Sequence, residues 1–229
     1  MVSGTRPKSI RRRVRALHRR LLKEYGEPEK EQLDPLDELM ITILSQNTSD
    51  TNRDRAYEAL RERFADWEAV RQASRSRIEE AIRPAGLWKQ KARAIQEVLN
   101  EIEEELGRLD LSHLSDMEDG EIIDYLTGFR GVGVKTAACV LCFSLGRDYM
   151  PVDTHVLRVS KRLGLVPEGA GADRAHDLLN DNSAVPAELR FSFHIQLIRH
   201  GRAICKAGRP ACDICVVEDL CPKIGVSSR

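Results

Sequence analysis

The sequence closes on four cysteines in the pattern Cys205-x6-Cys212-x2-Cys215-x5-Cys221. Thiolates this close together cannot converge through a helix or a strand unless a metal centre organises the loop that carries them; four unrelated buried thiols are the other reading. Tetrahedral zinc and a 4Fe-4S cluster both take four Cys. Zinc sites usually come as two close pairs, and one close pair between wide gaps favours the cluster. Upstream, Lys135 falls in the first turn of an expected helix. The helix dipole disfavours a cation there, which would lower the amine's pKa and suit it to act as a nucleophile. An exposed structural lysine is the other reading. In Pro151-Val152-Asp153-Thr154-His155 the aspartate reads as a helix N-cap. The same cap would hold a catalytic carboxylate rigidly.

The element that must position Lys135 is written as Leu126-x-x-Phe129-x-Gly131-Val132-Gly133-x-x-x-Ala137-x-x-Val140. Two glycines two apart allow a tight hairpin between helices. Its amides, and those of the next helix's first turn, would be unpaired and could hold a phosphate without reading bases. A plain helical hairpin is the alternative. A further pair, Cys139 and Cys142, lies in an apolar helical run and reads as core packing.

The rest of the chain supports an all-α protein of many short helices. Hydrophobic residues are 41% and charged residues 31% of 229, whereas aromatics are only 5%. Asp34-Pro35 opens a helix with Leu36, Leu39, Met40, Ile43 and Leu44 on one face. Ser49 and Asp50 cap another; Asp66 and Ser74 open two short ones. A long helix runs from Trp88 to Leu106 with Gly107 as its stop. Further helices fit 118–127, 134–145, 154–163, 172–180 and 186–200, and Val14, Leu17 and Leu21 make the N-terminal segment amphipathic. No apolar run approaches the roughly 20 residues of a membrane span. No secretory signal is evident, so the expectation is an intracellular, cytoplasmic protein with free or metal-bound cysteines, nucleoid-associated if prokaryotic. Net charge is zero but unevenly spread. Residues 1–25 carry nine Lys/Arg against Glu24, and 97–124 carry eleven acids against Arg108. Such polarity suits a polyanion partner on one side.

Glycine hairpin with lysine, then Val-Asp-Thr-His, then the four-cysteine loop, in this order and spacing, resembles the endonuclease III family of DNA glycosylases. The resemblance spans about Asp34 to Cys221. It implies two helical lobes with a DNA-binding cleft between them: a six-helix barrel at 36–147 containing the helix-hairpin-helix, and a discontinuous cluster domain from 1–35 and 148–229. It implies a 4Fe-4S cluster on Cys205, Cys212, Cys215 and Cys221, Lys135 as nucleophile and Asp153 as its assistant. Gly131, Val132, Gly133, Thr136 and His155 match the family's DNA contacts, as do Lys206 and Arg209 of the cluster loop. Gln46 and Asn47 fall where the family inserts an amide side chain into the duplex. Asn47 holds the aligned place, where many relatives have Gln. Leu87 matches a second, apolar wedge, or else is a core leucine at a helix start.

The implied activity is bifunctional. A damaged base is flipped out, Lys135 displaces it from C1′, and β-elimination cuts the strand 3′ to the abasic site. Oxidised pyrimidines of the thymine glycol or 5-hydroxycytosine type would be removed from double-stranded DNA by a monomer. The alternatives are a mismatch-specific thymine or uracil glycosylase and a non-catalytic helix-hairpin-helix DNA-binding protein. The related adenine glycosylases have a Glu where this chain has Thr42 and lack the lysine.

Overall fold

A computed structural model describes residues 7–30 and 32–226. Among them every regular element is helical and none is a strand. By contacts the chain divides into two compact units. One, here the central unit, runs up to Arg147 from just after Lys30; the other, the cluster unit, joins the N-terminal segment through Lys30 to everything from Asp148 onward.

The central unit begins with α2 (Pro35–Ser45), where the Asp34 carboxylate accepts from the Leu36 amide at 2.9 Å and Pro35 occupies the first turn. Next come α3 (Asp50–Arg63), α4 (Trp67–Gln72) and α5 (Arg75–Ala81). Ser49 and Asp66 cap α3 and α4 through their side chains, whereas Ser74 ahead of α5 makes no such bond. The long α6 (Trp88–Leu106) stops at Gly107, whose φ of 66° terminates it in the left-handed region. Then α7 (Asp119–Gly128) and α8 (Val134–Cys139) frame the glycine hairpin. Leu36, Leu39, Met40, Ile43 and Leu44 of α2 pack with Ile95, Val98, Leu99 and Ile102 of α6, and with Ala137 and Ala138 of α8, in a core that is at most 1% exposed.

The expected helix over 134–145 is interrupted. After Cys139 the chain widens into a π turn, Val140–Ser144, with the Leu145 amide on the Val140 carbonyl. The turn buries Val140, Leu141 and Cys142 together, and the Ser144 hydroxyl donates to the Leu33 carbonyl at 2.7 Å. Cys139 and Cys142 form no disulfide and are buried, as packing residues should be.

The cluster unit brings α1 (Pro7–Tyr25) against α11 (Arg190–Ala203), which also packs on α9 (Thr154–Arg162); α10 (Ala172–Leu179) completes the core. Val14, Leu17 and Leu21 of α1 are 0% exposed. Helix α11 starts later than expected because Pro186 is followed by a separate 3-10 turn, Ala187–Leu189. Beyond Ala203 the regular elements among the described residues are two short 3-10 turns, Cys212–Ile214 and Glu218–Leu220. No helix among the described residues is long and apolar enough to cross a membrane.

Candidate active site and cluster loop

In the central unit the hairpin turns at Gly131, whose φ of 85° is a conformation that an L side chain adopts only with strain. The Val132 amide donates to the Phe129 carbonyl, and the Thr136 amide to Gly133. Both side chains are buried, at 5% and 4% exposure. The expectation of an open row of amides is thus corrected: those of Val132 and Thr136 are already spent inside the turn. Among the described residues the amides of Gly131, Gly133, Val134 and Lys135 meet no backbone acceptor, so the phosphate-binding potential narrows to these four.

Lys135 follows at the second position of α8, half-buried. The sequence reading overlooked what stands near it. Glu38 of α2 is 7% exposed, its Oε1 accepting from the Thr42 hydroxyl at 3.0 Å. Burial pushes its pKa up to about 7, while the Thr42 hydrogen bond and the nearby charges of Lys135 and Arg53 oppose the rise. Cys139, one turn beyond Lys135, has its thiol pKa raised by burial and feels both Lys135 and Glu38. Lysine, carboxyl, hydroxyl and thiol therefore form one group. The available signal was a Glu set within the apolar face of α2.

At the two expected wedge positions the backbone is unusual. Gln46 caps α2 and is exposed; Asn47, also exposed, has φ 52°. Leu87 precedes α6 with φ 47° and is 46% exposed, so it is not a core leucine.

In the cluster unit Asp153 caps α9, its Oδ1 accepting from the Val156 amide at 2.7 Å. His155 is half-buried with its Nδ1 3.1 Å from Arg158 Nη2, and burial lowers its pKa although Asp153 opposes the shift. Arg158 also donates to the carbonyls of Gly201 and Cys205, at 2.8 and 3.0 Å. Arg162 donates to the carbonyls of Cys205, Lys206 and Ala207 at 3.2, 2.7 and 2.9 Å, and approaches the Cys205 sulfur at 3.3 Å. One helix thus carries Asp153 at its start and grips the first turn of the cluster loop further on. Lys206 and Arg209 of that loop are exposed.

Cys205, Cys212, Cys215 and Cys221 are free, partly buried, and line one pocket walled by Val159, Leu163 and Val217. No group of three or more His, Cys, Asp or Glu among the described residues is gathered tightly enough for a single metal ion. Four thiols around a pocket suit a cluster, whose irons occupy the space between sulfurs, better than a lone zinc at a point. Donors already aimed at sulfur strengthen the fit: Arg162 at Cys205, the Lys223 amide at Cys221 (3.4 Å), and His200 Nε2, 3.6 Å from Cys215.

Residues 40–182 match the HhH-GPD superfamily of base excision DNA repair proteins, and residues 205–221 match the iron–sulfur binding domain of endonuclease III. The chain therefore belongs to the endonuclease III family of HhH-GPD DNA glycosylases and holds a 4Fe-4S cluster on its four-cysteine loop. It is 39% identical to a putative DNA glycosylase of Arabidopsis thaliana, over 86% of this chain and 68% of the relative. It is 34% identical to the endonuclease III of Sulfolobus acidocaldarius, over 80% of this chain and 79% of that one. Among solved structures, a non-covalent endonuclease III–DNA complex superposes with a TM-score of 0.79 at 27% identity, covering 93% and 95% of the two chains.

Proposed function

We propose that this glycosylase is bifunctional and acts on oxidised pyrimidines in double-stranded DNA through Lys135. The Lys135 amine attacks C1′ of the flipped nucleotide, the C1′–N bond breaks and the base departs. The C1′–O4′ bond then opens, the amine's proton passing to O4′, and leaves a Schiff base at C1′ that acidifies the C2′ proton; loss of that proton breaks the C3′–O bond and expels the 3′ phosphate, and water then frees the lysine. Asp153, held by its cap bond, stabilises positive charge on the sugar and relays protons. Gln46 or Asn47, with Leu87, fills the gap left in the duplex. The glycines of the hairpin, His155, Lys206 and Arg209 hold the backbone of DNA that contains damaged bases or abasic sites, and the protein works as a monomer. Asp153, Lys135 and the cluster loop are each rooted in a helix end or a gripped turn, as a preorganised site requires.

The observation that carries the reading is the half-buried Lys135 beside the buried Glu38 carboxyl. A pure DNA clamp needs exposed cations and has no use for a half-buried amine within electrostatic reach of a buried acid. The reading is tested by borohydride trapping on abasic duplex: a covalent adduct is expected with the wild-type protein and none with Lys135→Gln. An adduct formed equally by Lys135→Gln would overturn it. An excision panel of thymine glycol, 5-hydroxycytosine, uracil and thymine mispairs then fixes the substrate; excision confined to the mispairs would replace oxidised pyrimidines with the mismatch reading.

A further inference from the structure

Lys91 is 2% exposed, yet it lies in the first turn of α6 directly after two exposed residues, Lys89 and Gln90. Its Nζ donates to two backbone carbonyls, Leu44 at 2.8 Å and Ala85 at 2.8 Å. Each is a carbonyl at an element's end that the element itself leaves unsatisfied. Leu44 is in the last turn of α2, three residues before Asn47. Ala85 ends the 3-10 turn Arg83–Ala85, two residues before Leu87. Only three non-glycine residues among those described have positive φ: Asn47, Leu87 and Lys223. Two of the three thus follow, within three residues, a carbonyl held by the same ammonium.

A non-glycine residue in the left-handed region costs about 1 kcal/mol or more and persists only where its surroundings over-determine it. No side-chain cap bond supports Leu87 at the start of α6. Backbone bonds close each turn on itself, Gln46 on Ile43 and Thr48 on Ser45 at one, Gly86 on Arg83 and Lys91 on Leu87 at the other, and the ammonium joins the two. Burial lowers the lysine's pKa to about 8, which leaves it charged at neutral pH, and charge-assisted bonds are roughly twice as strong as neutral ones.

We infer that Lys91 is a positioning residue, tying the Asn47 and Leu87 turns into one rigid frame so that both side chains enter the duplex together. The inference rests on the reading, made above, that these two residues fill the space left by the flipped nucleotide. It gives a reason for a lysine where a core helix would ordinarily place an apolar residue: the cation replaces two loop-to-loop hydrogen bonds that the chain cannot otherwise make.

The test uses the full-length, cluster-loaded protein and a duplex with 2-aminopurine opposite a tetrahydrofuran abasic analogue, whose fluorescence rises as the base is unstacked. Lys91→Met should reduce the rise and lower kcat on abasic duplex by about 10²-fold, the scale of a small misplacement. Cleavage of a single-stranded abasic oligonucleotide, which has no stack to fill, should fall by less than about threefold, because only the positioning contribution is removed. Lys91→Gln, able to donate to one carbonyl, should recover part of the signal and serves if Lys91→Met folds poorly. Equal losses on single and double strands, or no loss at all, would overturn the inference. Asn47→Ala and Leu87→Ala separate the two claims. If they leave the fluorescence unchanged, the wedge reading fails and the Lys91 inference fails with it. If they abolish it while both Lys91 variants keep it, the wedge reading stands and the Lys91 inference alone is lost.

Discussion

The central unit draws its core from one continuous stretch of chain, whereas the cluster unit closes α1 on α11 across more than 160 residues, as the Gln196-to-Gly26 hydrogen bond shows with its separation of 170. Polar anchoring differs in the same way. In the cluster unit arginines hold distant carbonyls: Arg13 on Gly164, Arg158 and Arg162 on the cluster loop, Arg190 on Asp148 and Asn180. In the central unit helix packing does most of this work, with Lys91 the buried cation that bridges segments. Continuous amphipathic helices find their core from local pattern and neighbouring contacts. A unit assembled from distant segments pays more loop-closure entropy and needs links between them; the cluster fixes the loop that Arg20, Arg158 and Arg162 grip from two other helices.

If that contrast is right, chemistry and stability should fail separately. Lys135→Gln should cut lyase turnover by at least roughly 10³-fold while the thermal midpoint stays in place; a large loss of stability would mean that the lysine is structural after all. Cys212→Ser should bleach the broad absorbance near about 400 nm expected of an iron–sulfur protein and lower the thermal midpoint by roughly 10 °C or more. Hydrogen exchange should then speed up in residues 10–30 and 148–226 before it does in 36–147. Uniform loss of protection would erase the distinction between the units.

Arg162→Met leaves three loop carbonyls without their donor and should cost about 2–4 kcal/mol in chemical denaturation, without the disappearance of the cluster. For Glu38 the sign follows from its raised pKa. The folded state holds the proton up to about 7, the unfolded chain only to 4.5, so the burial penalty is absent at low pH and complete above about 7. Glu38→Gln keeps an acceptor for Thr42 and should therefore stabilise the protein at pH ~8, by up to ~3 kcal/mol, but not at pH ~4.5. Equal effects at both pH values would show that the carboxyl ionises normally. The smallest change is expected on the cluster loop: Lys206→Glu or Arg209→Glu should flatten the salt dependence of DNA binding by about one phosphate each, and unchanged slopes would remove the loop from the interface.

Much of the site was legible because its signals are local. Four cysteines, a capping aspartate and a glycine hairpin announce themselves within a few residues, and the caps at Asp34, Ser49 and Asp66 placed their helices accurately. The amides of Val132 and Thr136 were misjudged because a hairpin's internal bonds depend on its exact closure. The helix after Lys135 looked continuous because the sequence pattern carries no mark of a π turn, which the packing of Val140, Leu141 and Cys142 dictates. Leu87 could have been core or surface from its type alone.

From its sequence alone this chain was bound to be helical, to gather four thiols at its end, and to set an amine after a glycine turn, because each follows from residue type and short-range spacing. Tertiary structure alone decided that Glu38 would be buried near that amine, that Arg162 would grip the cluster loop, and that Lys91 would join two turns. Those outcomes depend on which backbone carbonyls and charges lie within hydrogen-bonding or Coulombic reach, and segments 43 and 47 residues apart acquire such neighbours only when the helices pack.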